Sequence, residues 1–333
     1  MRQDGGLQPL EPQPIEGWVS LSGRCGQPEQ SEPHPMIEQE RSPFVVRFAT
    51  ASHTGLVREH NEDKLVALPE HGVYVVADGM GGHAAGRVAS DLCISAIEEF
   101  FAGQAERDIE VRARDEAGEL QLNRETIDFA QSILLANRRI HEAAHADAAF
   151  AGMGTTVVGL RFFENIVAVA HAGDSRAYLL RGNDLDQLTE DHSLSNFLHA
   201  LGREAEAQLA EATMSNVIMR ALGLEAEVAV DTQELEVEPG DRFLLCSDGL
   251  SDLVPYEDIK GLLDDHTLSR EEIVESLLQR SLAAGGRDNI SILLVDVLPR
   301  GLSEDTADIP PETATSAATV QMQAIPARPR GED

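Results

Sequence analysis

Short runs rich in β-branched residues stand at positions 45–50, 64–68 and 73–77, each bounded by turn-forming residues, and they predict three strands. These three are expected to be antiparallel neighbours. Residues 83–103 then carry Val88, Leu92, Ile94, Ile97 and Phe101 as an apolar stripe at spacings near three and four, which predicts a helix. The charged stretch 104–121 shows little apolar periodicity and reads as a surface loop or a frayed helical excursion. Helical spacing returns over 124–146. Strands follow at 155–163, 166–172 and 176–181, with Glu164-Asn165 and Gly173-Asp174 as turns. Residues 191–223 are polar and helix-prone. Further strands at 228–237 and 243–246 flank Pro239-Gly240-Asp241, and two helices, 256–263 and 269–284, precede a last strand at 290–298. No internal repeat is found. Strands outnumber helices and come in blocks, which favours an α+β fold of antiparallel sheets flanked by helices over strict alternation.

Composition sets the limits of this frame. Twelve of the 15 prolines fall before Phe44 or after Leu298, so residues 1–43 and 299–333 read as disordered tails around a domain at 44–298. The net charge of -32 disfavours nucleic acid and anionic membranes, both of which are held by Lys and Arg. No apolar run reaches the roughly 18 residues that span a bilayer. The beginning, Met1-Arg-Gln-Asp-Gly-Gly, lacks the pattern of a secretory signal. Three scattered cysteines, Cys25, Cys93 and Cys246, suit a reducing cytoplasm, with Cys93 and Cys246 read as buried small hydrophobes.

Four acidic patches stand at separated points of the chain: Arg58-Glu-His-Asn-Glu62-Asp63, Asp78-Gly79-Met80-Gly81-Gly82, Ser247-Asp248-Gly249 and Asp288-Asn289. Any one of them alone is a turn, a helix cap or a solvated charge run. Together they adjoin the ends of apolar runs, and a fold that gathers those ends would place several carboxylates in one space. At a separation of about 5 Å and an effective dielectric of about 20, each pair repels by roughly 3 kcal/mol, so the cluster requires bound positive charge. Oxygen-only ligands favour magnesium, manganese or calcium. Arg58 has the planar fork that binds a phosphoryl group, and Asp63 is placed to hold metal-bound water.

The order and spacing of these residues resemble the bacterial form of the metal-dependent serine/threonine phosphatases of the protein phosphatase 2C family. The resemblance spans about residues 44–298. Besides Arg58 to Asp63 and Asp78 to Gly82, it is carried by Gly-Met-Gly-Thr-Thr from Gly152, Gly-Asp-Ser-Arg from Gly173 and Leu-Thr-Glu-Asp-His-Ser from Leu188. Arg-Ala-Leu-Gly from Arg220, Ser-Asp-Gly-Leu from Ser247 and Arg-Asp-Asn from Arg287 complete it. It implies a four-layer α-β-β-α sandwich and a centre of two Mn2+ or Mg2+ ions, bridged by Asp78 and bound by the Gly79 carbonyl, Asp248 and Asp288. Asp63 and Glu62 would act mainly through coordinated water, Asp174 would hold a third, weaker ion, and Arg58 would grip the substrate phosphate. Residues 193–223 would form a variable flap. Catalysis would be direct attack of an activated water, and the partners would be phosphoprotein substrates and a cognate Ser/Thr kinase. The resemblance also implies a monomer. Met80 stands where animal and plant members often carry a histidine proposed as the leaving-group acid; His83 is a weak substitute for it.

Two rival functions are a phosphatase of small metabolites and an inactive domain that only binds. The C-terminal Thr306, Thr313, Thr315 and Thr319 read either as a plain solvated strip or as phosphoacceptors that dock a phosphothreonine-binding partner. Trp18, with Val19 and Leu21, reads as a short docking segment at most.

Overall fold

In the computed structural model, the described residues are 19–25, 44–81, 85–105, 109–114, 122–214 and 217–300. The tail threonines, Trp18 and His83 lie outside them.

The strands are β1 (Val19–Cys25), β2 (Phe44–His53), β3 (Asp63–Leu68), β4 (Val73–Met80), β5 (Ile109–Arg114), β6 (Gly154–Thr155) and β7 (Val157–Phe163). They continue as β8 (Ile166–Ala172), β9 (Arg176–Arg181), β10 (Asp184–Gln187), β11 (Val230–Glu236), β12 (Arg242–Cys246) and β13 (Ile290–Pro299). The helices are α1 (Ala85–Phe101), α2 (Arg124–Ala146), α3 (Leu194–Ala200), α4 (Glu204–Thr213), α5 (Asp248–Ser251), α6 (Tyr256–Leu263) and α7 (Arg270–Ala283). One sheet runs β3-β4-β7-β8-β11-β1-β5, with β6 paired to β4, and the other runs β10-β9-β12-β13-β2. Every pairing is antiparallel.

Period-two alternation along the strands builds the layers. On β4, Val73, Val75 and Ala77 face α1 and α2, whereas Tyr74 and Val76 face the second sheet. On β12 and β13, Phe243, Leu245, Leu293, Val295 and Val297 face the first sheet, while Leu244, Cys246, Ile292 and Leu294 pack under α5, α6 and α7. The central strands are therefore buried on both faces, and each such Val, Leu or Phe contributes about 1.5–3 kcal/mol. Helix α1 turns Ala89, Cys93, Ala96, Ile97 and Phe100 inward, fully or nearly fully buried, the spacing of a single helical face. Small residues on that face let the helix lie close to β4. Helix α7 starts at a capping box, with Ser269 and Glu272 each satisfying the other's backbone N–H. The α-β-β-α sandwich is as expected.

Three expectations change. Strand β2 does not neighbour β3; it pairs with β13 over its whole length, so residues 54–62 cross from one sheet to the other. Residues 19–25, read with the rest of 1–43 as tail, form β1 between β11 and β5. Residues 109–114, read as loop or frayed helix, form β5. Without β1 and β5 the edge of β11 would expose a row of unpaired N–H and C=O groups, and pairing there needs backbone more than an apolar sequence. The remainder of 1–43 lies outside the described residues. None of the described helices is long and apolar enough to cross a membrane.

Candidate active site

One end of the sandwich collects the crossing loops. Strands β2, β4, β8 and β12 end there, and β3, β9 and β13 begin there, so Arg58, Glu62, Asp63, Asp78, Asp174, Asp248 and Asp288 come from five separate segments to one rim. Asp63 and Asp78 are opposite each other in the β3–β4 ladder. A Cβ on Gly79 would stand 2.1 Å from the Gly86 carbonyl oxygen, so only glycine lets α1 approach β4 beside Asp78.

Polar side chains that bond backbone hold these acids in place. Ser247 Oγ donates to Asp63 Oδ2 at 2.8 Å and accepts from the Ser291 N–H at 2.9 Å. Asn289 Oδ1 accepts from the Glu62 N–H at 2.7 Å, and its amide donates to the carbonyls of Thr54 and His60, both at 2.9 Å. That one side chain ties the 54–62 crossing to the start of β13. Thr155 Oγ1 donates to the Asp78 carbonyl at 2.8 Å, and the Asp78 N–H donates to Thr156 Oγ1 at 3.2 Å. Arg58 Nη2 lies 2.5 Å from Asp288 Oδ2, its side chain 54% exposed at the mouth of the site.

The electrostatics mark a cation site. Burial, followed by the charges of Asp63, Asp248, Asp174 and Asp288, pushes the Asp78 carboxyl well above the carboxylate range. Asp248 is raised likewise, by burial and then by Asp174, Asp288, Asp252 and Asp63. Burial lifts Asp63 to about 6 even against the hydrogen bonds from Ser247 and Ser291, and lifts Asp174, beside Asp191, to about 6. Asp63 Oδ1, Asp174 Oδ1 and Asp248 Oδ1 are shut off from solvent with no hydrogen-bond partner among the described residues. Buried carboxylate oxygens without donors, repelling one another, fit hard divalent cations.

A second polar cluster braces the Asp174 turn; the sequence motifs contain its His192 and Arg220 but not His171 or Asp231. His171, His192 and Asp231 bring their ligand atoms within 4.8 Å of one another. Arg220 Nη1 is driven into that group, 2.7 Å from Asp231 Oδ1 and 2.9 Å from His192 Nε2, and supplies the positive charge a cation would bring. The Gly173 N–H donates to His192 Nδ1 at 3.0 Å, and His192 Nε2 lies 3.1 Å from Asp231 Oδ2. The His192 N–H donates in turn to the Gly173 carbonyl at 2.9 Å. Gly173, at φ +121°, is thus held on both sides, with Asp174 fixed beyond it. Arg176 grips Asp191 through two nitrogens at 2.6–3.0 Å on the other flank.

Residues 53–285 match the family model of protein phosphatase 2C. The chain belongs to the protein phosphatase 2C family. It is 36% identical over 249 residues to a serine/threonine phosphatase of Listeria welshimeri, spanning 73% of this chain and 92% of that protein. The serine/threonine protein phosphatase PstP of Mycobacterium tuberculosis is 36% identical over 262 residues, 78% of this chain and 46% of that longer one. Its crystal structure superposes with a TM-score of 0.64 at 35% identity, covering 76% of this chain and 99% of that one. A structure of the PstP catalytic domain in complex with two manganese ions superposes with a TM-score of 0.62 at 34% identity, covering 77% and 99%.

Arg58, half exposed at the mouth of the site, allows substrate contact to be tested apart from folding. Arg58→Ala should lower kcat/KM on a phosphopeptide by about 10–100-fold, the loss of a charge-assisted contact worth about 1.5–3 kcal/mol. Because the side chain is half exposed, its melting temperature should stay within about 2 °C of the wild type. Steady-state kinetics and a thermal melt check both, and unchanged kinetics would remove Arg58 from the substrate site.

Proposed function

We propose that this chain removes phosphate from phosphoserine and phosphothreonine of cytoplasmic proteins, opposing a Ser/Thr kinase. Asp63, Asp78, the Gly79 carbonyl, Asp248 and Asp288 would hold the two manganese or magnesium ions that the family uses. Asp174 would hold a third, weaker ion, and Glu62 would act through water. The observation that carries this reading is the set of buried carboxylate oxygens with no donor. Held there, divalent ions would supply the charge that lowers the pKa of a water and so makes it a nucleophile for direct attack on phosphorus, with no phosphoenzyme.

The chain's own residues do the rest. Ser247 and Asn289 lock Asp63 and the Glu62 backbone, so the ligand set is preorganised rather than assembled on binding. Arg58, steered by Asp288, presents its fork to the phosphate and offsets charge on the equatorial oxygens, where phosphoryl transfer needs stabilisation. The stretch 193–223 sits beside the site as α3 and α4, around a small core of Leu198, Ala207 and Ala210. It is tied down at its roots by the Ser193–Ile218 and Thr155–Leu222 bridges. Leu209, Met214 and Met219 are left exposed on it, an apolar surface facing whatever protein carries the phosphate.

Purified chain should release phosphate from a phosphothreonine peptide with Mn2+, stop with EDTA, and turn over sugar phosphates far more slowly. Preference for the sugar phosphates would move the substrate to small metabolites. A folded protein that is silent with every divalent ion would leave only a binding role.

A further inference from the structure

Helix α2 ends in His141-Glu142-Ala143-Ala144-His145, two histidines four residues apart on one helix face. Their rings lie side by side, tilted, with centroids 4.1 Å apart and planes inclined at 45°. His141 is half-buried and His145 is exposed, so the pair is open to solvent along one edge. His141 Nδ1 is 3.2 Å from the Gly223 carbonyl oxygen, and His145 Nδ1 is 2.9 Å from the carbonyl oxygen of His141 itself. A carbonyl can only accept. Each Nδ1 therefore carries the ring proton, and each Nε2 is left with its lone pair. Backbone carbonyls holding Nδ1–H while Nε2 stays unprotonated is the arrangement that orients metal-ligating histidines.

We propose that His141 and His145 form a binding site for one divalent cation of the zinc, nickel or copper kind, separate from the carboxylate centre and chemically unlike it. Two imidazole nitrogens select borderline cations, whereas the carboxylate oxygens at the sandwich rim select manganese and magnesium. Tetrahedral zinc, with Zn–N of about 2.0–2.1 Å, needs the two nitrogens about 3.3 Å apart, and the two ring centroids here are 4.1 Å apart. The same His-Glu-x-x-His spacing serves zinc peptidases, but there another ligand completes the site. Here Glu142 is one residue from His141 and so on a different face, and the pair leaves the remaining positions to water. The site's role is that of a staple, since His141 joins the end of α2 to Gly223, and Gly223 in turn is held by Asn137 Oδ1 at 2.7 Å.

The test uses the full chain without a polyhistidine tag, kept in saturating Mn2+, and titrated with Ni2+ by calorimetry alongside His145→Ala. The wild type should take up one more nickel per chain than the variant, or bind it roughly tenfold or more tightly, while manganese-dependent phosphatase turnover is the same in both. Cu2+ added in place of Ni2+, with diamagnetic Mg2+ in place of Mn2+, should give an electron paramagnetic resonance spectrum with hyperfine splitting from two imidazole nitrogens, lost in His145→Ala. Equal nickel uptake, or a copper spectrum that the substitution leaves unchanged, overturns the site. Because His145 is exposed and far from the phosphatase residues in sequence, intact turnover verifies that the variant is folded.

Discussion

Asp78→Asn should lower kcat/KM with saturating Mn2+ by about a thousandfold or more, and the same substitution should raise the melting temperature of the protein in EDTA. The two effects have one origin. Asp78 lies opposite Asp63 in the β3–β4 ladder and feels the charges of Asp63, Asp248, Asp174 and Asp288. With ions bound, it would be surrounded by the other acids of the proposed centre, so its loss would cost several kcal/mol of electrostatic stabilisation, and about 4 kcal/mol is a thousandfold in rate. With ions removed, the same carboxyl is a burden, since charges about 5 Å apart at an effective dielectric near 20 repel by roughly 3 kcal/mol per pair. The folded protein partly avoids this by keeping Asp78 protonated, so Asn recovers only part of it, on the order of 1–2 kcal/mol. That is a rise of about 2–4 °C per kcal/mol for a domain of this size. Backbone bonds to Thr155 and Thr156 do not involve the carboxylate and should survive the change. Phosphopeptide kinetics and melts in EDTA read the two arms. A variant that keeps its activity removes Asp78 from the centre, and one that melts lower in EDTA shows that repulsion is not what the site stores.

What could be read in the sequence was the chemistry at strand ends. Asp78 and Asp248 each follow an apolar run and precede a helix, and that local pattern suffices to place them on a rim. The family resemblance then ordered the ligands. The partner of each strand was less legible, because turn chemistry signals that the chain reverses but not which sheet receives it. Residues 54–62 reverse the chain and carry it to the other sheet, which separates β2 from β3. The six-residue strand Ile109–Arg114 was hidden because its alternation is shorter than the charged stretch around it. The roles of Asn289, Ser247 and His192, all of them within the motifs read from the sequence, were hidden for another reason. Their function is to bond segments far away in sequence, as Asn289 does with Glu62 across 227 positions, and no local pattern reports such a bond.

The stabilisation by Mn2+ should grow with pH, so that the gap between melting temperatures with Mn2+ and with EDTA widens from about pH 4 through about pH 6. Burial lifts Asp63 and Asp174 to about 6 in the folded, metal-free protein, against 3.8 for the unconstrained group, and burial with the neighbouring carboxylates raises Asp78 and Asp248 well above 3.8 as well. A carboxyl raised on folding holds its proton in the native state after the unfolded chain has released it, so stability falls as pH rises from about 4 to about 6, and Asp78 and Asp248 act in the same sense. Buried histidines act in the opposite sense. His171, held down to about 3 by burial, favours the folded state increasingly between about 3 and 6.5, and His192 is also lowered. Their contribution is common to both samples because neither ring is a ligand in the proposed centre, so subtracting the EDTA curve from the Mn2+ curve removes it. What remains is the competition between protons and Mn2+ for the same oxygens. At a metal concentration 100 times the dissociation constant the gain is about 2.7 kcal/mol, and it shrinks as protons occupy the ligands. A gap independent of pH between 4 and 8 would mean that Mn2+ binds elsewhere, and that the raised acids at the sandwich rim are not its ligands.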